Sequence, residues 1–232
     1  MRQELLEKQS GEIRGMFGRI AHRYDVLNRM LSLGRDVGWR KVVAQRVEAA
    51  RPQRVLDVCT GTGDLALAIR EATVVGADFC LPMLAVARAK TASRGRHVAL
   101  CAGDALCLPV AEGAVDVVTV AFGVRNFADL DLGLSELVRV LRPGGTLLVL
   151  EFSRPQGPMA PFFGWWARSV PPRIGRWLSG DREAYSYLPI SVNGFPEGGE
   201  MCRVLQDAGL QNVEVRRLTG GVASLYEGKR RF

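Results

Sequence analysis

Short apolar runs alternate with stretches of helical spacing along most of the chain. RVLDVC (54–59), TVVGADF (73–79), HVALCAGD (97–104), VDVVTVAF (115–122) and TLLVLEFS (146–153) carry apolar residues on consecutive positions, as strands covered on both faces do. Helical spacing over Asp64 to Glu71, Pro82 to Ser93 and Asp131 to Leu141 separates most of them, which predicts βαβ units and a parallel sheet. RPGG at 142–145 supplies the proline and glycine that end a helix before the next strand. After Phe152 the alternation stops for about forty residues, longer than a plain connection. It resumes with a helix near Glu197 to Ala208, a turn at Gly209, and NVEVRRL and VASLYEG, which suit an antiparallel finishing pair. The first fifty residues or so read mainly as helix. The expected fold is α/β, a doubly wound, mostly parallel seven-stranded sheet with an antiparallel C-terminal strand pair. One domain is expected over 1–232, with a helical lid over 1–50 and a substrate- and membrane-facing insertion over 154–195.

Composition agrees with one globular domain: 232 residues, 47% hydrophobic and 24% charged, bury a sizeable core. The five cysteines are odd in number and sit mostly in apolar runs, which reads as free buried thiols in a reducing compartment. Two histidines and no CxxC pair argue against a metal site. The opening MRQELLEKQSGEIRG lacks a signal peptide's apolar core, and no apolar run is long enough to span a bilayer. A cytoplasmic location is the expectation. The net charge of +7 is unevenly placed, for no acid stands between Glu151 and Asp181. Across that gap Arg154, Arg168, Arg173 and Arg176 alternate with Phe162, Phe163, Trp165, Trp166 and Trp177. Such interleaving fits a membrane surface, a nucleic acid or an acidic partner.

The chemistry begins at VLDVCTGTGD (55–64). A strand running into Gly61-Thr62-Gly63 lets a ligand approach the backbone where a side chain would obstruct it. Read loosely, GTGDLA matches the dinucleotide fingerprint with alanine last, a weak signal alone. Charge argues against a pyrophosphate. Asp57 at the strand's end and Asp64 at the helix start would repel phosphate oxygens, yet both suit a ligand carrying an ammonium and a sulfonium. S-adenosylmethionine has both cations. Asp78, ending the second strand, is placed for the two ribose hydroxyls, and Asp104, after the third, for the adenine amino group. Singly, Asp64 reads as a helix N-cap and the other aspartates as strand terminators; together at successive strand ends they point to one cofactor. A dehydrogenase would need a hydride-handling partner, and no tyrosine has a lysine four residues on.

Several stretches follow one another as they do in the ubiquinone and menaquinone C-methyltransferases: MFGRIAHRYDVLNRMLSLGRDVGWR, VLDVCTGTGD, GADF, GDALCLP, FGVRNF, VLRPGGTLLVLEFSRP and NGFPEGGEMCRVLQDAGL. The chain resembles that family from about Met16 to Lys229, and its YDxxNxxLSxGxDxxWR and FGxRN patterns are more specific than the glycine turn. The resemblance implies a class I S-adenosylmethionine-dependent methyltransferase acting on a prenylated quinol. It leaves naphthoquinol against benzoquinol, and oligomeric state, open. The arginine-tryptophan segment then suits a membrane surface holding a lipid tail better than a groove reading bases, the competing reading being the internal core of a lid. Carried over by position, the family's cofactor contacts fall on Thr62, Asp78, Asp104 and Ala105. A serine contact common in the family is replaced by Ala121, and a C-terminal histidine by Tyr226.

Arg125 and Asn126, side by side after an apolar strand, are the candidate catalytic pair. Ring-carbon methylation needs an electron-rich ring, and a phenol, with a pKa of about 10, stays mostly protonated in neutral water. A guanidinium beside the ring oxygen would stabilise the phenolate, and Asn126 would donate a second hydrogen bond. Arginine stays protonated, so the proton acceptor is water or a carboxylate. The competing reading is a structural pair pinning the loop to the N-terminal helices. Tyr24 and Asp25 are expected either to close over the site as a lid or to serve plain helix packing.

Overall fold

The computed structural model describes residues 11, 13–156 and 194–232. The arginine- and tryptophan-rich segment singled out above lies almost wholly outside them. A helical run over 13–20 and a 3₁₀ turn, Ala21–Arg23, lead into α1 (Tyr24–Leu31) and α2 (Arg35–Ala49). The alternation follows: β1 (Arg54–Val58), α3 (Asp64–Ala68), β2 (Thr73–Asp78), α4 (Leu81–Ser93), β3 (Ala99–Ala102), β4 (Val115–Ala121), α5 (Leu130–Val140) and β5 (Leu141–Phe152). After the undescribed stretch come α6 (Gly199–Asp207), β6 (Leu210–Leu218) and β7 (Ala223–Arg230).

The strands form one seven-stranded sheet in the order β3-β2-β1-β4-β5-β7-β6. The first five are mutually parallel, and β7 runs antiparallel between β5 and β6. Strand order reverses between β1 and β4, so a crevice opens at their carboxyl ends. Two apolar layers cover the faces. Leu56, Val118, Leu137 and Met201 belong to one, and Trp39, Val47, Ile69 and Leu148 to the other. Both faces of the central strands are therefore dry, the physical reason their sequences read as unbroken apolar runs.

Local expectations needed small corrections. The helix expected to reach Glu71 stops at Ala68, because Ile69 is extended (ψ 125°) and wholly buried; packing overrides a helix-forming sequence. RPGG does not cap a helix. Leu141 is already extended, and 142–145 lie within β5, with Gly144 at φ 74°. The five thiols are free, but only Cys80 is buried and Cys107 is exposed. Among the described residues no helix is long and apolar enough to cross a membrane.

Candidate active site

At the switch point the chain leaves β1 through two left-handed residues, Cys59 (φ 54°) and Gly61 (φ 55°), and enters α3 from Gly63 (φ 80°). The two glycines serve different ends. A Cβ on Gly61 would meet nothing nearer than the Cys59 carbonyl at 4.0 Å, so that position opens onto the crevice. A Cβ on Gly63 would press to 3.2 Å from the Ala87 Cβ, so this glycine lets α3 pack closely on α4.

Asp57 is 1% exposed, and its oxygens accept hydroxyl hydrogen bonds from Thr60 (2.6 Å) and Thr119 (2.7 Å). It braces the turn, and with Gly61, Thr62 and Asp64 it lines a small pocket there. Burial pushes its pKa up to about 6, against the pull of those hydroxyls and of Arg40. Asp78 ends β2 at the same turn. Its Oδ2 accepts from the Gly61 N–H and its Oδ1 from the Cys80 N–H, both at 2.8 Å, so one carboxylate holds the turn and the start of α4 together. Burial raises its pKa, opposed by backbone donors from Cys80, Gly61 and Phe79.

A cleft of about 710 Å³ opens over this turn. Gly61, Asp78, Asp104 and Ala105 line it, with Phe79, Met83 and Leu106 as apolar wall. Asp104 is exposed and spends one bond of its Oδ1 on the Leu106 N–H (2.9 Å), leaving further acceptor capacity. Asn126 and Ala121 line the same cleft, so the absent serine would have stood there. Burial pushes the Cys59 thiol well up, with Asp78 and Asp57 adding to the effect, so it offers no thiolate.

Thr62 does not line this cleft. Its hydroxyl donates to Asp25 Oδ1 (2.5 Å) and accepts from Lys90 (3.2 Å). Lys90 also donates to Asp25 Oδ2 (2.7 Å) and to Asp64. Asp64 is the first residue of α3 and makes no side-chain cap. Burial raises its pKa, but the hydrogen bond and charge of Lys90, then Arg40 and Arg29, outweigh that and hold it below the carboxylate range. Asp25 of α1, Thr62 of the turn and Lys90 of α4 thus form one clasp across the crevice. Lys90 gave no sequence signal beyond its place in a helix.

A second cleft, also about 710 Å³, shares Phe17, Tyr24 and Phe122 with the first. The N-terminal helices roof it with Met16, Leu27, Asn28 and Leu31, and Asp36, Arg40, Arg125 and Phe152 complete it. Arg125 and Arg40 lie over an aromatic pair. The Arg40 guanidinium is 5.5 Å from the Phe122 ring centre, Phe122 is 4.5 Å from Phe152, and Arg125 is 5.3 Å from Phe152. Each cation has an acid, Asp36 for Arg40 (2.5 Å) and Glu151 for Arg125 (2.6 Å). Arg125 also donates to the Phe122 carbonyl (2.7 Å), while its buried Nε has no partner among the described residues. Through Arg125 the loop is pinned to β5. Burial pushes the Tyr24 phenol up, opposed first by an Asn28 hydrogen bond and then by the charges of Arg125 and Arg40. The net shift is upward, so the two cations, each paired with an acid, lessen the effect of burial without overcoming it. Asp36 and Arg40 stood in the sequence as the second D and the R of YDxxNxxLSxGxDxxWR, with no role assigned to them, and Glu151 as the one acid in an apolar strand.

This fold, with its glycine turn and strand-end carboxylates, defines a class I S-adenosylmethionine-dependent methyltransferase. A similar architecture occurs in an S-adenosylmethionine-dependent methyltransferase of Thermotoga maritima, with a TM-score of 0.66 and 17% identity, covering 94% of this chain and 99% of that one. The model of the ubiE/COQ5 methyltransferase family matches residues 3–230, and the chain belongs to that family. It is 47% identical to the demethylmenaquinone methyltransferase of Thermus thermophilus over 93% of this chain and 100% of that one. It is 45% identical to that of Deinococcus radiodurans, covering 94% and 92%. The ubiquinone/menaquinone biosynthesis C-methyltransferase of Syntrophotalea carbinolica is 43% identical over 94% of both chains. The first cleft fits the methyl donor: Gly61 leaves room for it, Asp78 floors it with a carboxylate, and Asp104 and Ala105 edge an apolar slot.

Proposed function

We propose that this enzyme methylates a ring carbon of a prenylated quinol, converting demethylmenaquinol to menaquinol. The observation that carries the reading is the second cleft, apolar along the N-terminal helices, joined to the donor cleft through Tyr24 and Phe122, and holding two buried arginines. S-adenosylmethionine supplies a methyl group on a positive sulfur, an electrophile for a carbon nucleophile. Asp78 binds its ribose, Asp104 and Ala105 its adenine, and Thr62 fixes the turn through the clasp. Arg125 and Asn126 orient the quinol oxygen, and the field of Arg125 and Arg40 stabilises its deprotonated form, which makes the ring more nucleophilic. Arg125 keeps its proton and acts by charge and donation. Tyr24 and Asp25 close the roof, excluding water from the reacting carbon. The acceptor's lipid tail gives a reason for working at the inner face of a membrane.

The test is methyl transfer from a labelled donor to short-tailed naphthoquinol and benzoquinol. Transfer to the naphthoquinol is expected. The name of the Syntrophotalea relative favours including the benzoquinol, and preference for it would shift the pathway while keeping the chemistry. Transfer to neither would overturn the reading.

A further inference from the structure

The α1–α2 hairpin that roofs the second cleft turns an apolar face outward. Val26 (53% exposed) and Met30 (39%) stand one turn apart on α1, Leu33 (58%) at the corner, and Val37 (51%) in the first turn of α2. These make up half of the large apolar side chains exposed among the described residues. Leu33 is held at φ 53°, a conformation that asparagine or glycine adopts more readily. The exposed charges of the hairpin itself are cations, with Arg29 3.9 Å from Asp64 and Glu48 sharing a groove with Val37 and Lys41. Arg23, Arg29, Arg35 and Lys41 are exposed, whereas Asp25 is taken by Lys90 and Thr62, and Asp36 is buried against Arg40 and Ser32. No acid between positions 22 and 41 therefore faces outward uncompensated. The aromatic residues of the hairpin, Tyr24 and Trp39, line the cleft and the core, so the face offers no ring for stacking on bases.

We propose that this corner docks on an anionic bilayer, its four apolar side chains in the headgroup boundary and its cations on lipid phosphates. Charge complementarity carries the choice of occupant: an apolar tip ringed by cations matches a negative leaflet. Leu31 and Ser32, next to Leu33, line the second cleft, so docking sets that cleft beside the lipid. This purpose rests on the quinol reading; the surface itself does not.

The experiment is co-sedimentation of the full chain with phosphatidylglycerol-containing vesicles and with pure phosphatidylcholine ones. The variants are Leu33→Asp and Val37→Asp, with Val215→Asp on β6 as control. Aspartate suits the left-handed corner better than leucine, so Leu33→Asp tests the surface without straining the fold. The parent is expected to bind the anionic vesicles only. Both hairpin variants should need at least about tenfold more lipid for half-binding, with melting temperature and turnover of a soluble quinol unchanged. The control should bind like the parent. Absence of parent binding, or Leu33→Asp binding as the parent does, would overturn the proposal. So would a melting temperature several degrees lower in Leu33→Asp, since it would mean that protein covers this face. Vesicle binding that persists when no quinol is methylated would sink the substrate reading and leave the docking surface standing.

Discussion

Arg125 and Glu151 meet at 2.6 Å with only 6% and 1% of their side chains exposed, joining the loop after β4 to the end of β5. Breaking such a pair strands a buried charge, at a cost of about 3–5 kcal/mol. Arg125→Ala should therefore lose both stability and turnover, which alone would not separate bracing from catalysis. The double variant Arg125→Gln with Glu151→Gln removes both charges together. It should recover most of the melting temperature while turnover per folded molecule stays low. Recovery of turnover along with stability would reduce Arg125 to a brace.

Asp78 holds two backbone donors at 2.8 Å and floors the donor cleft. Asp78→Ala should weaken S-adenosylmethionine binding strongly, since hydrogen bonds to a charged group contribute roughly 1.5–3 kcal/mol each. Calorimetric titration reads this directly, and unchanged affinity in a folded variant would remove Asp78 from the cofactor site.

Lys90 ties Asp25 of the roof to Thr62 and Asp64 of the turn. Lys90→Met would leave the carboxylates of Asp25 and Asp64 without the cation they share, with Thr62 still donating to Asp25. It should speed donor dissociation several-fold and make residues 13–31 exchange amide hydrogens faster, while the protection of β1 and β4 is kept. Equal loss of protection in the strands would mean a general stability role instead of a roof latch.

How much of this was legible beforehand depends on the range of the interaction. The strand runs marked β1, β2 and β4 to within a residue, because burial on both faces writes itself into consecutive positions. The strand-end places of Asp78 and Asp104 were legible because each follows from the apolar run before it. Arg125 was conspicuous, but its partner lies on the neighbouring strand, visible only once β4 and β5 pair. Lys90 became part of the site only because the roof folds over α4. Gly61 and Gly63 look alike in sequence, and only packing assigns one to the ligand and the other to Ala87.

Asp57 gives the pH test. Its pKa, about 6 when folded against the ordinary 3.8, means that between these values the folded chain holds a proton that the unfolded chain has released. Stability must then fall as pH rises through this window, by about 3 kcal/mol for a shift of roughly two units. Asp64, Asp116 and Glu136 act in the opposite sense, since their depressed pKa values cost stability as pH falls below the ordinary carboxylate range. The whole-protein curve mixes the two, so the difference between the parent and Asp57→Asn is the quantity to measure. That difference should be nearly level above about pH 6 and should drift in the parent's favour as pH is lowered to about 4. A cation bound over the turn favours the ionised carboxylate and should move the step to lower pH, so adding S-adenosylmethionine to both proteins gives a second reading. Denaturant titrations across the window check both. A difference that stays flat from about pH 4 to about pH 7 would show that the carboxylate under the turn titrates normally.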